Sequence, residues 1–173
     1  MKKYLIFIAF ISSLSALQAQ GILSKVNENN TWIKFGPNVA LPLGDLGDAT
    51  NVGLGLDLSV QFLETRANGI GLKAGYINYF GKDDLEDVRV LPLALMYRYY
   101  PESSGYFAGI EVGYAFLNNI ADVDGGAFVR PQVGMHTDNW NFFAYYDFIN
   151  ISEDGISNLG AIGLAATYNI RFK

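Results

Sequence analysis

Apolar and polar positions alternate with a period of two in eight segments of the chain. One face of each segment is apolar or aromatic, and the other carries Gly, Ser, Asn, Gln and one or two charges. The second segment is the most regular: Val52, Leu54, Leu56, Leu58, Val60 and Phe62 alternate with Gly53, Gly55, Asp57, Ser59 and Gln61. Alternation this strict over this length predicts a strand and not a helix. The other segments run over about 31–41, 70–76, 91–99, 106–116, 128–136, 140–148 and 162–172. Their apolar faces carry no Lys, Arg, Asp or Glu except Arg89, at the very start of its strand.

The connections alternate too. Glu64 to Asn68, Pro101 to Ser104 and Thr137 to Asn139 are short turns. Pro42 to Asn51, Gly81 to Asp87, Asn118 to Gly126 and Ile151 to Asn158 are longer and acidic. This is the plan of an up-and-down meander with two unlike ends, and an even number of antiparallel strands can close and abolish its edges. No helix of useful length is expected. Pro37, Pro92 and Pro131 fall inside strands, where each removes a ladder hydrogen bond; bulges or register slips are expected there.

A face without charge must meet either a hydrophobic core or lipid. The polar face carries only Lys34, Lys73, Arg98, Arg130 and Arg171 against Asp57, Glu111 and Asp147, too little charge for a wetted exterior. It is also rich in glycine, including Gly53, Gly55, Gly71, Gly75, Gly109 and Gly113. Glycine weakens a solvated strand without gain. Inside a narrow barrel it makes room for long side chains, and eight strands leave an interior just wide enough for side chains to fill. Polar inside and apolar outside is the arrangement of a membrane barrel. Aromatics band at both strand ends. Trp32, Phe62, Tyr97, Tyr99, Tyr100, Tyr106, Trp140, Tyr168 and Phe172 lie next to the short turns, and Tyr76, Phe80, Tyr114, Phe116 and Phe148 lie at the opposite end, as interfacial girdles do.

Composition agrees. Half of the residues are hydrophobic and only 17% are charged, where a soluble domain carries about 25%. The start, Met1-Lys2-Lys3 followed by an apolar run and small residues to Gln20, has the form of a secretory signal peptide. The apolar run is too short for a membrane helix. Without Lys2 and Lys3 the chain has ten basic against seventeen acidic residues, which argues against nucleic acid as a partner. With no cysteine there is neither a disulfide framework nor a lipoprotein anchor. The expected organisation is a signal peptide over 1–20, a polar lead-in over 21–30 and a barrel over 31–173.

Candidate chemistry is sparse. Reflecting strands about their turns brings Arg130 near Asp147 and Lys73 diagonally near Asp57. Lys34, Asp57, Lys73, Arg98, Glu111, Arg130, Asp147 and Arg171 are therefore expected to form a structural polar network in the lumen, because a buried charge needs a partner. The sole histidine, His136, sits at a turn end with no serine or cysteine placed to use it. No phosphate loop or metal spacing appears, and no cofactor is expected. Acidic groups such as Asp83, Asp84, Glu86 and Asp87 are read as solvated loops in preference to a Ca²⁺ or Mg²⁺ site.

With these features in place, the chain resembles the small eight-stranded outer-membrane β-barrels of Gram-negative bacteria, the OmpA/OmpX-like group. The resemblance covers nearly all of the chain after the signal segment. It includes the ending Tyr168-Asn169-Ile170-Arg171-Phe172-Lys173, similar to the terminal strand read by the barrel-insertion machinery, although here the aromatic is penultimate. The resemblance implies an all-β, eight-stranded antiparallel up-and-down transmembrane barrel in the outer membrane. Its implied partners are outer-membrane lipids and lipopolysaccharide, and its implied role is non-enzymatic, in envelope structure or surface contact. No peptidoglycan-binding domain of the kind longer members carry is expected after the barrel. Two other readings compete. One is a lipid-modifying barrel enzyme, whose family resembles a His, Asp and Ser set at the outer end, whereas His136 faces the periplasmic end. The other is a secreted lipocalin-like barrel with its apolar faces inward.

Overall fold

The computed structural model describes residues 30–63, 67–83, 85–120, 123–151 and 158–171. The expected signal peptide, most of the lead-in, Asp84 and the final Phe172 and Lys173 lie outside them. Eight antiparallel strands close into one barrel in sequence order: β1 (Thr31–Leu43), β2 (Thr50–Leu63), β3 (Asn68–Gly81), β4 (Val88–Tyr99), β5 (Gly105–Asn118), β6 (Gly125–His136), β7 (Trp140–Asn150) and β8 (Leu159–Arg171). β8 pairs with β1, so no edge is left. The strands reach further into the long links than the alternation indicated. The β1–β2 link also holds one helical turn, α1 (Asp45–Ala49), which buries Leu46 and is tied down by the Thr50 hydroxyl donating to the Leu46 carbonyl at 2.6 Å.

The register fixes which face looks outward. From Ile33 the cross-strand partners run through Val60, Leu72, Leu95, Val112, Val129, Phe148 and Gly160 to Leu43, ten residues further along β1. That stagger is the shear of a tilted barrel, with strands inclined by roughly 35–45°. Every member of this circuit except the glycine is apolar. Leu54, Leu56, Leu91, Leu93, Val112 and Leu164 stand exposed on the same outer surface, while Arg98, Arg130, Glu111 and Lys73 are buried within. The apolar faces point out, which rules out the lipocalin-like alternative.

The prolines cause neither bulge nor slip. Pro37, Pro92 and Pro131 keep their partners Leu56, Ala115 and Ile110 on one side. On the other side the ladder skips two residues and resumes in the same register. In an antiparallel sheet the N–H and C=O of one residue face the same neighbouring strand, so a proline interrupts one ladder and spares the other. The only register shift among the described residues lies elsewhere, between Thr50 and Gly53 on β2.

The girdles are partly as expected. Tyr97, Tyr99, Tyr106, Trp140 and Tyr168 are exposed beside the short turns, and Tyr76, Phe80, Phe116 and Phe148 at the other end. Tyr100 and Trp32 differ. Tyr100 is buried in the lumen and Trp32 lines its mouth, because Tyr100 sits just past the end of β4 and Trp32 shares the inward parity of Lys34. Leu93 lies midway along β4 on the outer face. Leu93→Arg is expected to destabilise the barrel in a bilayer by about 2–4 kcal/mol, read from urea titration of the folded fraction in lipid vesicles.

Candidate functional site in the barrel lumen

The lumen is built in three layers. At the long-link end it is apolar: Ile77, Tyr79, Val88, Val90, Leu117 and Ile149, with Leu46 from α1 and Val123 from the β5–β6 link, belong to a buried apolar cluster that continues past the ionic layer to Phe107, Phe143 and Tyr100. The inward face reads from the sequence as polar; at this end the structure makes it apolar. An inward-facing residue here meets neither lipid nor water, so nothing requires it to be polar, and close packing against its neighbours favours aliphatic and aromatic side chains.

The middle layer is ionic. Lys73 Nζ lies 3.0 Å from both Asp57 Oδ1 and Glu111 Oε2. Arg130 clasps Asp147 through two nitrogens, Nε and Nη2, the latter at 2.8 Å. Its Nη1 faces Asp57 at 3.4 Å and Glu111 at 3.8 Å. The register explains the meeting: Glu111 is directly opposite Arg130 on the neighbouring strand, and Lys73 is diagonal to Asp57. All five side chains are essentially excluded from solvent. Two cations thus share three carboxylates, and the fork geometry of arginine lets one residue hold a carboxylate in two places while reaching two more. The arginine also lies over the Tyr145 ring at 3.9 Å. Gly163 makes that possible, since a Cβ there would lie 2.3 Å from the Tyr145 ring.

Toward the short turns the arrangement changes. Arg98 is sandwiched between Phe107 and Phe143, at 4.8 and 4.7 Å from their ring centres. It donates to Gln132 Oε1 at 2.8 Å, and Gln132 in turn donates to Glu111 at 3.0 Å. Lys34 donates to the Tyr100 hydroxyl and to Asn141 Oδ1, both at 3.2 Å. Neither cation has an ion-paired carboxylate among the described residues. Arg171, counted with the lumen set from sequence, is exposed at the end of β8 and joins none of these pairs. Beyond Lys34 the lumen opens into a vestibule of about 570 Å³, ringed by Trp32, Tyr100, His136, Asn141 and the short turns. The His136 ring packs edge-on against Tyr100 at 4.7 Å. One of its nitrogens meets the Glu102 backbone and the other has no partner.

The sequence places Phe128 and Tyr145, the rings beside Arg130, on the inward face, but sequence reasoning missed Phe107 and Phe143, which enclose Arg98. Phe107 and Phe143 share the inward parity of Glu111 and Asp147, and that parity was the available signal.

At the long-link end Asp87 ties the β3–β4 connection together. It accepts from Asn78 Nδ2 at 2.8 Å and from the Gly81 N–H at 3.0 Å. Among the described residues no acidic group makes a metal-binding cluster.

An outward apolar surface closed around a charged interior defines a transmembrane β-barrel of the outer-membrane type. Comparison with solved structures supports that class. The chain is similar to the N-terminal β-barrel domain of OprF from Pseudomonas aeruginosa (16% identity, 82% of this chain and 98% of that one, TM-score 0.53). It is also similar to Neisserial surface protein A (17% identity, 82% and 97%, TM-score 0.52) and to Ail, the attachment invasion locus protein of Yersinia pestis (12%, 82% and 98%, TM-score 0.51). No protein-family model and no curated protein matches the chain.

Asp147→Asn leaves Arg130 buried with only its two longer-range carboxylates. A loss of about 3 kcal/mol is expected, the low end for breaking a buried ion pair, measured by urea unfolding in detergent. The bonds from Asn78 and from the Gly81 N–H hold the Asp87 carboxyl below its ordinary value. Its contribution is therefore complete above the ordinary carboxylate range and lost as pH falls through the lowered folded-state value. Acidification should loosen the β3–β4 link, read as faster amide exchange at Gly81, and Asp87→Asn should remove that acid response.

Proposed function

We propose that the protein is a non-enzymatic integral outer-membrane barrel. It anchors in lipid by its outer face and presents its long, acidic links outward, in envelope stability or surface contact. The observation that carries this reading is the filling of the lumen. An apolar layer and an ionic layer follow one another across the bore, so the barrel body acts as an anchor and not as a conduit. The ion cluster is, in this reading, a structural plug whose cations and carboxylates hold one another across the bore.

The partners proposed for it are outer-membrane lipids and lipopolysaccharide along the apolar surface and girdles. The barrel-insertion machinery is proposed to engage the C-terminal strand, supported by the position of β8 as the strand that closes on β1. The non-enzymatic reading is supported by His136, whose ring bonds no hydroxyl or carboxylate side chain among the described residues.

The test is expression of the full chain followed by fractionation, gel migration with and without boiling, and single-channel recording. Membrane partition, heat-modifiable migration and no large steady conductance are expected. A detergent-free soluble monomer, or a steady open pore, would overturn the proposal. His136→Ala is expected to leave the lipid A profile of expressing cells unchanged.

A further inference from the structure

The buried charges of the barrel are unevenly distributed along its bore. The three inward carboxylates, Asp57, Glu111 and Asp147, are all committed to Lys73 and Arg130. The central layer thus has one more negative than positive group. On the short-turn side Lys34 and Arg98 are both buried, and no carboxylate pairs with either among the described residues. Arg98 is enclosed by Phe107 and Phe143 and coupled through Gln132 to the surplus charge of Glu111. Lys34 has no such link. Its Nζ, on a residue 5% exposed, meets two neutral oxygens, those of the Tyr100 hydroxyl and the Asn141 side-chain amide. It stands at the floor of the vestibule, a concave space of about 570 Å³ walled by Trp32 and Tyr100. A buried cation without a counter-charge is costly, and a cavity beside it is where a counter-charge fits.

We propose that this vestibule binds a small monovalent organic carboxylate, with Lys34 holding the anion and Trp32 and Tyr100 flanking its apolar part. Its valence follows from the lining. Among the described lining residues Lys34 stands at the cavity floor, while Glu102 and Asp138 stand at the rim and repel a dianion. The cavity volume suits a ligand larger than an ion, since small-molecule sites run from roughly 300 to 1,000 Å³. Arg171, also at the rim, offsets part of the acidic repulsion and draws anions inward.

The probe is N-acetylglycine, added to the detergent-solubilised full chain, with its methyl ester and inorganic phosphate as comparisons. The Trp32 indole and Lys34 side-chain resonances are followed. Saturable shifts with N-acetylglycine and none with the ester are expected. Lys34→Met, which keeps the length of the side chain and removes its charge, should weaken binding at least about tenfold, the scale of one charge-assisted hydrogen bond. Heat-modifiable migration checks that this variant is folded. Asn141→Asp provides a second route, because it sets a carboxylate beside Lys34 and should abolish binding while the ammonium remains. Lys82→Met, at the opposite end, should leave binding unchanged. Equal binding of the ester, tighter binding of phosphate than of N-acetylglycine, unaltered affinity in either site variant, or no saturable shift would each overturn the proposal.

Discussion

Everything in this molecule follows from closing one sheet on itself with its apolar side out. In a bilayer no water is available to satisfy a free N–H or C=O, so a sheet that spans it can have no edge. β8 meeting β1 supplies that closure. Once the wall is closed, alternation along each strand divides every residue between two environments, and eight strands leave a bore only wide enough for side chains. The interior must then be packed by the same rules as a protein core. That explains why buried arginine, glutamate, phenylalanine and isoleucine occur within one narrow column.

The order of the layers along that column has a physical logic. Apolar packing at the long-link end excludes water and includes α1 and the β5–β6 link as a cap. Below it the ion cluster sits in a low-dielectric surrounding, where each charge is tolerable because its partners are already in place across the bore. Arg130 is the hub. It reaches Asp147 on the neighbouring strand and Asp57 across the lumen, and it stacks on Tyr145. Toward the short turns the described residues place buried cations in the lumen but no buried carboxylate, and the column opens into the vestibule.

Much of this was legible in the chain. The alternation fixed which residues share a face, and the scarcity of charge chose lipid over water for the apolar one. Arg130 with Asp147, and Lys73 with Asp57, follow from reflecting strands about their short turns. What stayed hidden depends on contacts across the bore. Glu111 lies on β5 and Lys73 on β3, strands that do not pair, and their 3.0 Å contact exists only because the barrel is narrow and sheared. The prolines misled for a related reason. A one-dimensional reading counts a lost hydrogen bond, whereas the closed sheet shows on which of two ladders the loss falls.

By itself, then, the sequence determined the strands, the direction of their faces and the solvent each face meets, because those depend on a local period of two. Only the tertiary structure decided the layering of the lumen. It alone showed that the long-link end is apolar, that three acids serve two cations, and that Lys34 and Arg98 have no ion-paired carboxylate among the described residues. Those are consequences of shear and bore width, which set the distance between residues on opposite walls and which no single strand encodes.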